Sequence, residues 1–269
     1  MLDSRANKDR VSVRRFLTAA GIAGALIFTS ACSSSVEPSA ADTSGPSGSA
    51  SVTATPSPVV LLPGGLVAKG VANDGKGDYL QTSIADTDPA MKYNPAIADE
   101  AAKAHFSEAE LADAQKVIVR FIAEEAIDST LNNGTDVDGW FAAHKDQIHP
   151  AVHDIVLADL KADKDVVVRE RWMAERPGLS YVHGADTPRV TQRTITPSKL
   201  SYVEDNGLQA VWLDTTTSYE MVVAVDGKRN KVQPTNATFN YAAAKDAADG
   251  KWKIVAYEHY IVTTPYTMS

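Results

Sequence analysis

The sequence predicts an α+β domain, with N-terminal helices packed on one face of a curved antiparallel sheet. Three observations predict it. Apolar residues recur at helical spacing between residues 107 and 163. After residue 185, β-branched and aromatic runs alternate with Asn-Gly and Asp-Gly turn signals. Residues 91–269 have the composition of an ordinary globular domain, and a segment of that size holds one core. Helices followed by hairpin-linked strands follow the α+β order.

Residues 107–128, SEAELADAQKVIVRFIAEEAID, open the helical half. Ser107 with Glu110 three residues on forms a capping box, and Leu111, Ala114, Ile118 and Phe121 follow helical spacing. Residues 132–136, NNGTD, break the chain. A short helix fits 136–147, DVDGWFAAHKDQ, with Trp140 and Phe141 as core residues. A third helix fits 150–163, PAVHDIVLADLKAD. Pro150 suits its first turn, where a missing N–H costs nothing. Strands are expected at 189–195 and 199–205, and Asn206-Gly207 turns the chain into 208–216. A strand at 218–225 ends at Asp226-Gly227, and AADG joins strands at 237–246 and 251–262.

The closing segment Asp249–Tyr260, DGKWKIVAYEHY, carries a family likeness. Gly250, Lys251, Trp252, Lys253 and Ile254 match a Gly-Lys/Arg-Trp-Lys/Arg-Ile strand. With the preceding order of helices and meander, residues 105–265 resemble the nuclear-transport-factor-2-like (SnoaL-like) superfamily. The resemblance implies a cone-shaped domain with a pocket between sheet and helices, and frequent homodimerisation. Some members are pocket enzymes of the ketosteroid isomerase or polyketide cyclase type, which need a carboxylate base and an oxyanion hole in a dry cavity. The candidates are Glu258, Tyr260, Asp214, Tyr219, Tyr202 and Trp212. Strict alternation would put Glu258 on one strand face with Trp252, Ile254, Ala256 and Tyr260, where burial would raise its pKa.

The N-terminus has a different plan. Arg5, Lys8, Arg10, Arg14 and Arg15 precede an uncharged run, Phe16–Ala31, which ends at Cys32, the sole cysteine. Thr29-Ser30-Ala31-Cys32 resembles a bacterial lipobox, with Thr29 in place of the usual Leu. The resemblance implies a signal peptide over 1–31, cleavage before Cys32, and a diacylglyceryl group on its thiol. The product would be a lipid-anchored protein on the extracytoplasmic face of a Gram-positive, actinobacterial membrane. Two acyl chains hold a domain on a bilayer where one does not. The segment SVRRFL, 12–17, is similar to a twin-arginine export signal without its spacer residue, so both export routes stay open.

Residues 33–58 are almost all Ser, Thr, Ala, Pro and Gly, a composition that favours a disordered spacer. Residues 59–90 read either as an early strand on the domain or as an apolar part of the tether, and the domain boundary is drawn at 91. The formal charge is −8, and the signal holds five basic and two acidic residues, so the chain from Cys32 onward is near −11. That balance argues against nucleic acid as a partner.

Other chemistry has weaker support. His149 and His153 are four apart, but Pro150 places His149 at or before the helix start, and His144 has no Glu-containing zinc motif around it. No metal or cofactor is expected. The expected role is non-catalytic: the domain binds a small apolar ligand or an envelope protein partner. The alternative is an isomerase- or cyclase-type enzyme acting on a lipid or polyketide-like substrate.

Overall fold

The computed structural model describes residues 60–134, 136–162, 179–234 and 237–260, with Tyr260 described by its backbone. The expected signal, Cys32, the spacer up to residue 59 and the Tyr260 side chain lie outside the described residues. The described chain is mixed α+β. A hairpin of β1 (Leu66–Asn73) and β2 (Asp78–Ile84) comes first. Helices α1 (Glu100–His105), α2 (Glu108–Phe121), α3 (Val137–His144) and α4 (His153–Lys161) follow. Then come β3 (Leu179–Tyr181), β4 (Gly184–Pro188), β5 (Val190–Asp205), β6 (Leu208–Val225), β7 (Lys228–Val232), β8 (Thr238–Lys245) and β9 (Trp252–Tyr260).

The folded part starts earlier than the expected boundary at 91. Gly64 and Gly65 take positive φ, 78° and 75°, which turns the chain so that Leu61 bridges to Val67. Leu66, Tyr79, Thr82 and Ile84 are buried, so the β1–β2 hairpin belongs to the core rather than to the tether. β2 also pairs in parallel with β4, making a small three-stranded sheet. The second sheet has six strands and is antiparallel throughout: β3, β6, β8 and β9 in order, with β5 and β7 also on β6.

Strand lengths differ from expectation for physical reasons. The strands expected at 189–195 and 199–205 are one strand, β5, because Pro197 is accommodated at a bulge between Pro197 and Lys199. Likewise β6 runs unbroken for 18 residues through Thr217. Asn206 and Gly207 have φ of 51° and 79°, the paired left-handed residues of a tight hairpin turn, and Asp226 and Gly227 repeat this with 49° and 76°. The second turn produces β7, whose charged sequence KRNKV gives little strand signal.

The helices cover one face of the large sheet. The capping box of α2 forms as expected: the Ser107 hydroxyl accepts from Glu110 N–H, and the Glu110 carboxylate accepts from Ser107 N–H at 2.8 Å. Leu111, Ala114, Ile118, Val119 and Phe121 are buried along its inner face. Phe121 meets Tyr241 of β8 edge to face at 5.4 Å, and Phe106 meets Trp252 of β9 at 5.5 Å. Each such side chain contributes roughly 1.5–3 kcal/mol by burial. After Phe121 the helix widens into a π-turn, Ile122–Ala126, all of it buried. Ile148 and His149 pair with Ile254 and cover the free edge of β9.

Candidate functional site

Cross-strand partners share a face, so the register sorts the expected site residues. Tyr241 pairs with Leu213 and Tyr257 and packs on α2, which marks the helix-facing side. Tyr219 lies on that side, buried at 6.4 Å from the Phe239 ring. Trp212 pairs with Ala242 on the opposite side, and Asp214 follows two residues on. Trp212 donates its indole N–H to Asp214 Oδ1 at 2.7 Å.

Glu258 does not share a face with Trp252 and Ile254. Ala242 pairs with Ala256 while Ala243 pairs with Ile254, so Val255 is an extra residue in β9. This β-bulge reverses the alternation. Tyr257 and His259 take the helix-facing side, and Ala256 and Glu258 turn to the other, with Glu258 opposite Asn240. The expected acid–tyrosine constellation is therefore split. Asp214, Trp212 and Glu258 are on one side of the sheet and Tyr219 is on the other. Tyr202 stacks on His105 and donates its hydroxyl to Glu204, away from both groups.

A different pair meets on the helix-facing side. The Tyr241 hydroxyl and His259 Nε2 are hydrogen-bonded among Phe239 and Tyr257. Burial lowers the His259 pKa to about 3, so the ring is neutral, and its tautomer decides whether Nε2 or the phenol donates.

The side opposite α2 carries a cavity of about 110 Å³. Val203, Leu208, Ala210, Ala242, Val255 and Ala256 line it, with Ala151 and Val152 from the turn before α4 and the polar pair Asp205 and Asn206 completing its walls. It exists because β6, β8 and β9 present alanines where larger side chains would fill the space. A lipophilic pocket of about 150 Å³ accepts a benzene-sized group, and drug-sized ligands need roughly 300 Å³ or more. This cavity fits one aliphatic side chain or the end of an acyl chain. A fused-ring substrate is too large for it.

Buried charge gathers around the π-turn. Asp74, Arg189, Glu125, Asp128 and Arg193 are all buried. Arg189 pairs with Asp74 and lies 3.4 Å over the Tyr79 ring. Glu125 Oε1 faces Lys69 Nζ at 3.0 Å and His144 Nε2 at 3.2 Å, and its Oε2 accepts from Trp140 at 3.1 Å. Burial alone would raise Glu125, but His144 and Lys69 outweigh it and hold the carboxyl below its ordinary range. Burial likewise works against His144, and Glu125 outweighs it and raises the ring. Both nitrogens of His144 are engaged, Nδ1 by the Trp140 carbonyl at 2.7 Å, so the ring has no basic nitrogen to offer a substrate. Burial pushes Asp128 up to about 6, although Thr82 donates to its Oδ2 twice and Arg189 and Arg193 lie near.

The sequence contained one signal for this cluster. The buried spacing 111, 114, 118, 121 continues to position 125, where an apolar residue is due and a glutamate stands. Arg189 and Arg193, far away in sequence, gave no such sign. The other histidines are also spoken for. His149 caps the Pro150 turn by accepting from Ala151 N–H, and His153 Nε2 meets the Ile148 and Lys145 carbonyls. Among the described residues, no three His, Cys, Asp or Glu side chains gather as metal ligands.

No family model, curated protein or solved structure matches the chain.

Proposed function

We propose that the chain is a lipid-anchored cell-envelope protein whose domain binds a slim apolar group without transforming it. Helices on one face of a six-stranded antiparallel sheet are consistent with the nuclear-transport-factor-2-like cone. The anchor rests on Cys32, the sole cysteine, which follows an uncharged run of sixteen residues and precedes a Ser/Thr/Ala/Pro-rich spacer. Export to the extracytoplasmic face follows from that anchor.

The cavity between Val203, Leu208, Ala242 and Ala256 carries the binding reading. Its walls are mainly apolar, with Asp205 and Asn206 as the polar lining residues, so its occupant is an aliphatic chain or an aliphatic side chain of an envelope partner. Turnover has less support, since Glu258 and Tyr219 sit on opposite sides of the sheet. A second copy of the chain is a further candidate partner for the same side.

Native mass spectrometry of the protein isolated gently from its own host tests the reading. A reproducible lipid- or metabolite-sized adduct is expected, and Leu208→Trp at the cavity rim should remove it. A bare mass for both proteins, with no partner recovered by cross-linking, would overturn it.

A further inference from the structure

The three exposed large apolar residues among those described are Val60, Leu61 and Val71, exposed by 56%, 67% and 59%. They lie together in the chain's first sheet. Leu61 bridges to Val67, and Val60 accepts from Ala68 N–H at 3.0 Å, so residues 60–61 form a short extra rung on the outer edge of β1. Val71 lies three residues beyond Ala68 on β1, about 10 Å along the strand. On β2 its partner is Leu80, which is half-buried, and Leu80 in turn pairs with Pro188 of β4.

This edge is also where the described chain begins. Residues 33–59 separate it from Cys32. A fully flexible linker of that length would have a root-mean-square span on the order of 30 Å, and the four prolines of 33–58 favour a somewhat longer one. Whatever holds Cys32 is therefore presented to this edge at roughly millimolar effective concentration. Three apolar side chains are too few to hold a free domain on a bilayer, but they suffice for a surface already brought that close.

We propose that the Val60–Leu61–Val71 edge rests on the lipid surface, so that the domain stands on its membrane in a fixed orientation. The proposal rests on the reading of Cys32 as the anchor. Contact is apolar rather than electrostatic. Of the cations near this edge, Lys69 on β1 is neutralised from within the fold by Glu124 and Glu125, and Lys76, in the turn after it, is tied by a hydrogen bond to Asn133. The orientation has a consequence for the cavity. Gly64 packs against the backbone of Thr191 at the start of β5, and the cavity lies at its other end, beside Val203 and Asn206. Twelve residues of extended strand put it on the order of 40 Å away. The cavity then opens toward the envelope, and its occupant comes from there rather than from the protein's own bilayer.

The test uses the chain from residue 32 with Cys32→Ser and an N-terminal histidine tag, bound to phosphatidylcholine vesicles containing a nickel-chelating lipid. Attachment is then independent of lipidation. Val71→Cys and, at the far end of the sheet, Gln209→Cys each provide one thiol for a nitrobenzoxadiazole label. Nitroxide-bearing lipid should quench the label at 71 and leave the label at 209 unchanged. Adding Val60→Asp with Leu61→Asp should abolish that quenching with no change in circular dichroism. Salt should leave it in place. Equal quenching at 71 and 209, or quenching that survives the aspartates, would overturn the proposal. A separate measurement, the mass of the Cys32 peptide from host membranes, tests the anchor, so the two failures are distinguishable.

Discussion

Two ends of the domain handle their polar groups in opposite ways. Around the π-turn, charges are buried and answered by partners: Asp74 by Arg189, and Glu125 by Lys69, His144 and Trp140. On the far side of the large sheet the chain buries alanines and leaves a gap between Ala210, Ala242 and Ala256. Buried charge is often a pointer to chemistry. Here the charged end works as architecture: its carboxylates are held by cations and hydrogen-bond donors of the fold, although Arg189 Nε and Nη1, Arg193 Nε and Nη2 and Asp128 Oδ1 are buried without a hydrogen-bond partner among the described residues. The mainly apolar end has room for something else.

The largest effect that would break this comparison is at Arg189. Arg189→Ala leaves Asp74 buried without its cation, and the loss expected is about 3–5 kcal/mol, read by chemical denaturation. A change below about 1 kcal/mol would mean that the ionic end is not structural. Asp128 provides the next test. Unfolded, it titrates near 3.8, and in the fold at about 6. Between those values the folded state binds more protons, so its stability falls as pH rises through that window and the contribution is flat above it. Asp128→Asn should remove the slope, as measured by melting temperature against pH.

A smaller effect is expected at the helix start, where Ser107→Ala should cost about 1 kcal/mol through loss of the capping box. The smallest is Glu258→Gln. If the cavity binds without catalysis, this variant keeps both stability and retained ligand, and a lost turnover with ligand still bound would reinstate the enzyme reading.

The helices, the Asn206-Gly207 and Asp226-Gly227 turns and the long strands were legible because local chemistry dictates them. Capping boxes, paired left-handed residues and β-branched runs act within a few positions. What escaped was set by contacts distant in sequence. The β1–β2 hairpin resembles a tether until the buried partners of Tyr79 and Thr82 are known. Pro197 looks like a strand break until its bulge is seen. The face occupied by Glu258 depends on pairing between β8 and β9, which no property of β9 alone reveals.

The extra residue at Val255 hides the true phase of this strand from anyone counting letters. Without Val255, Ile254 would still stand opposite Ala243 and Ala256 opposite Ala242. Tyr257 and His259 would stay beside Tyr241, and Glu258 would stay on the other side. A single in-frame deletion here would therefore straighten the strand and remove one wall of the cavity, yet leave every other side chain on its present face. Related chains that lack this residue would read as plainly alternating strands and still present the same aromatic and alanine faces.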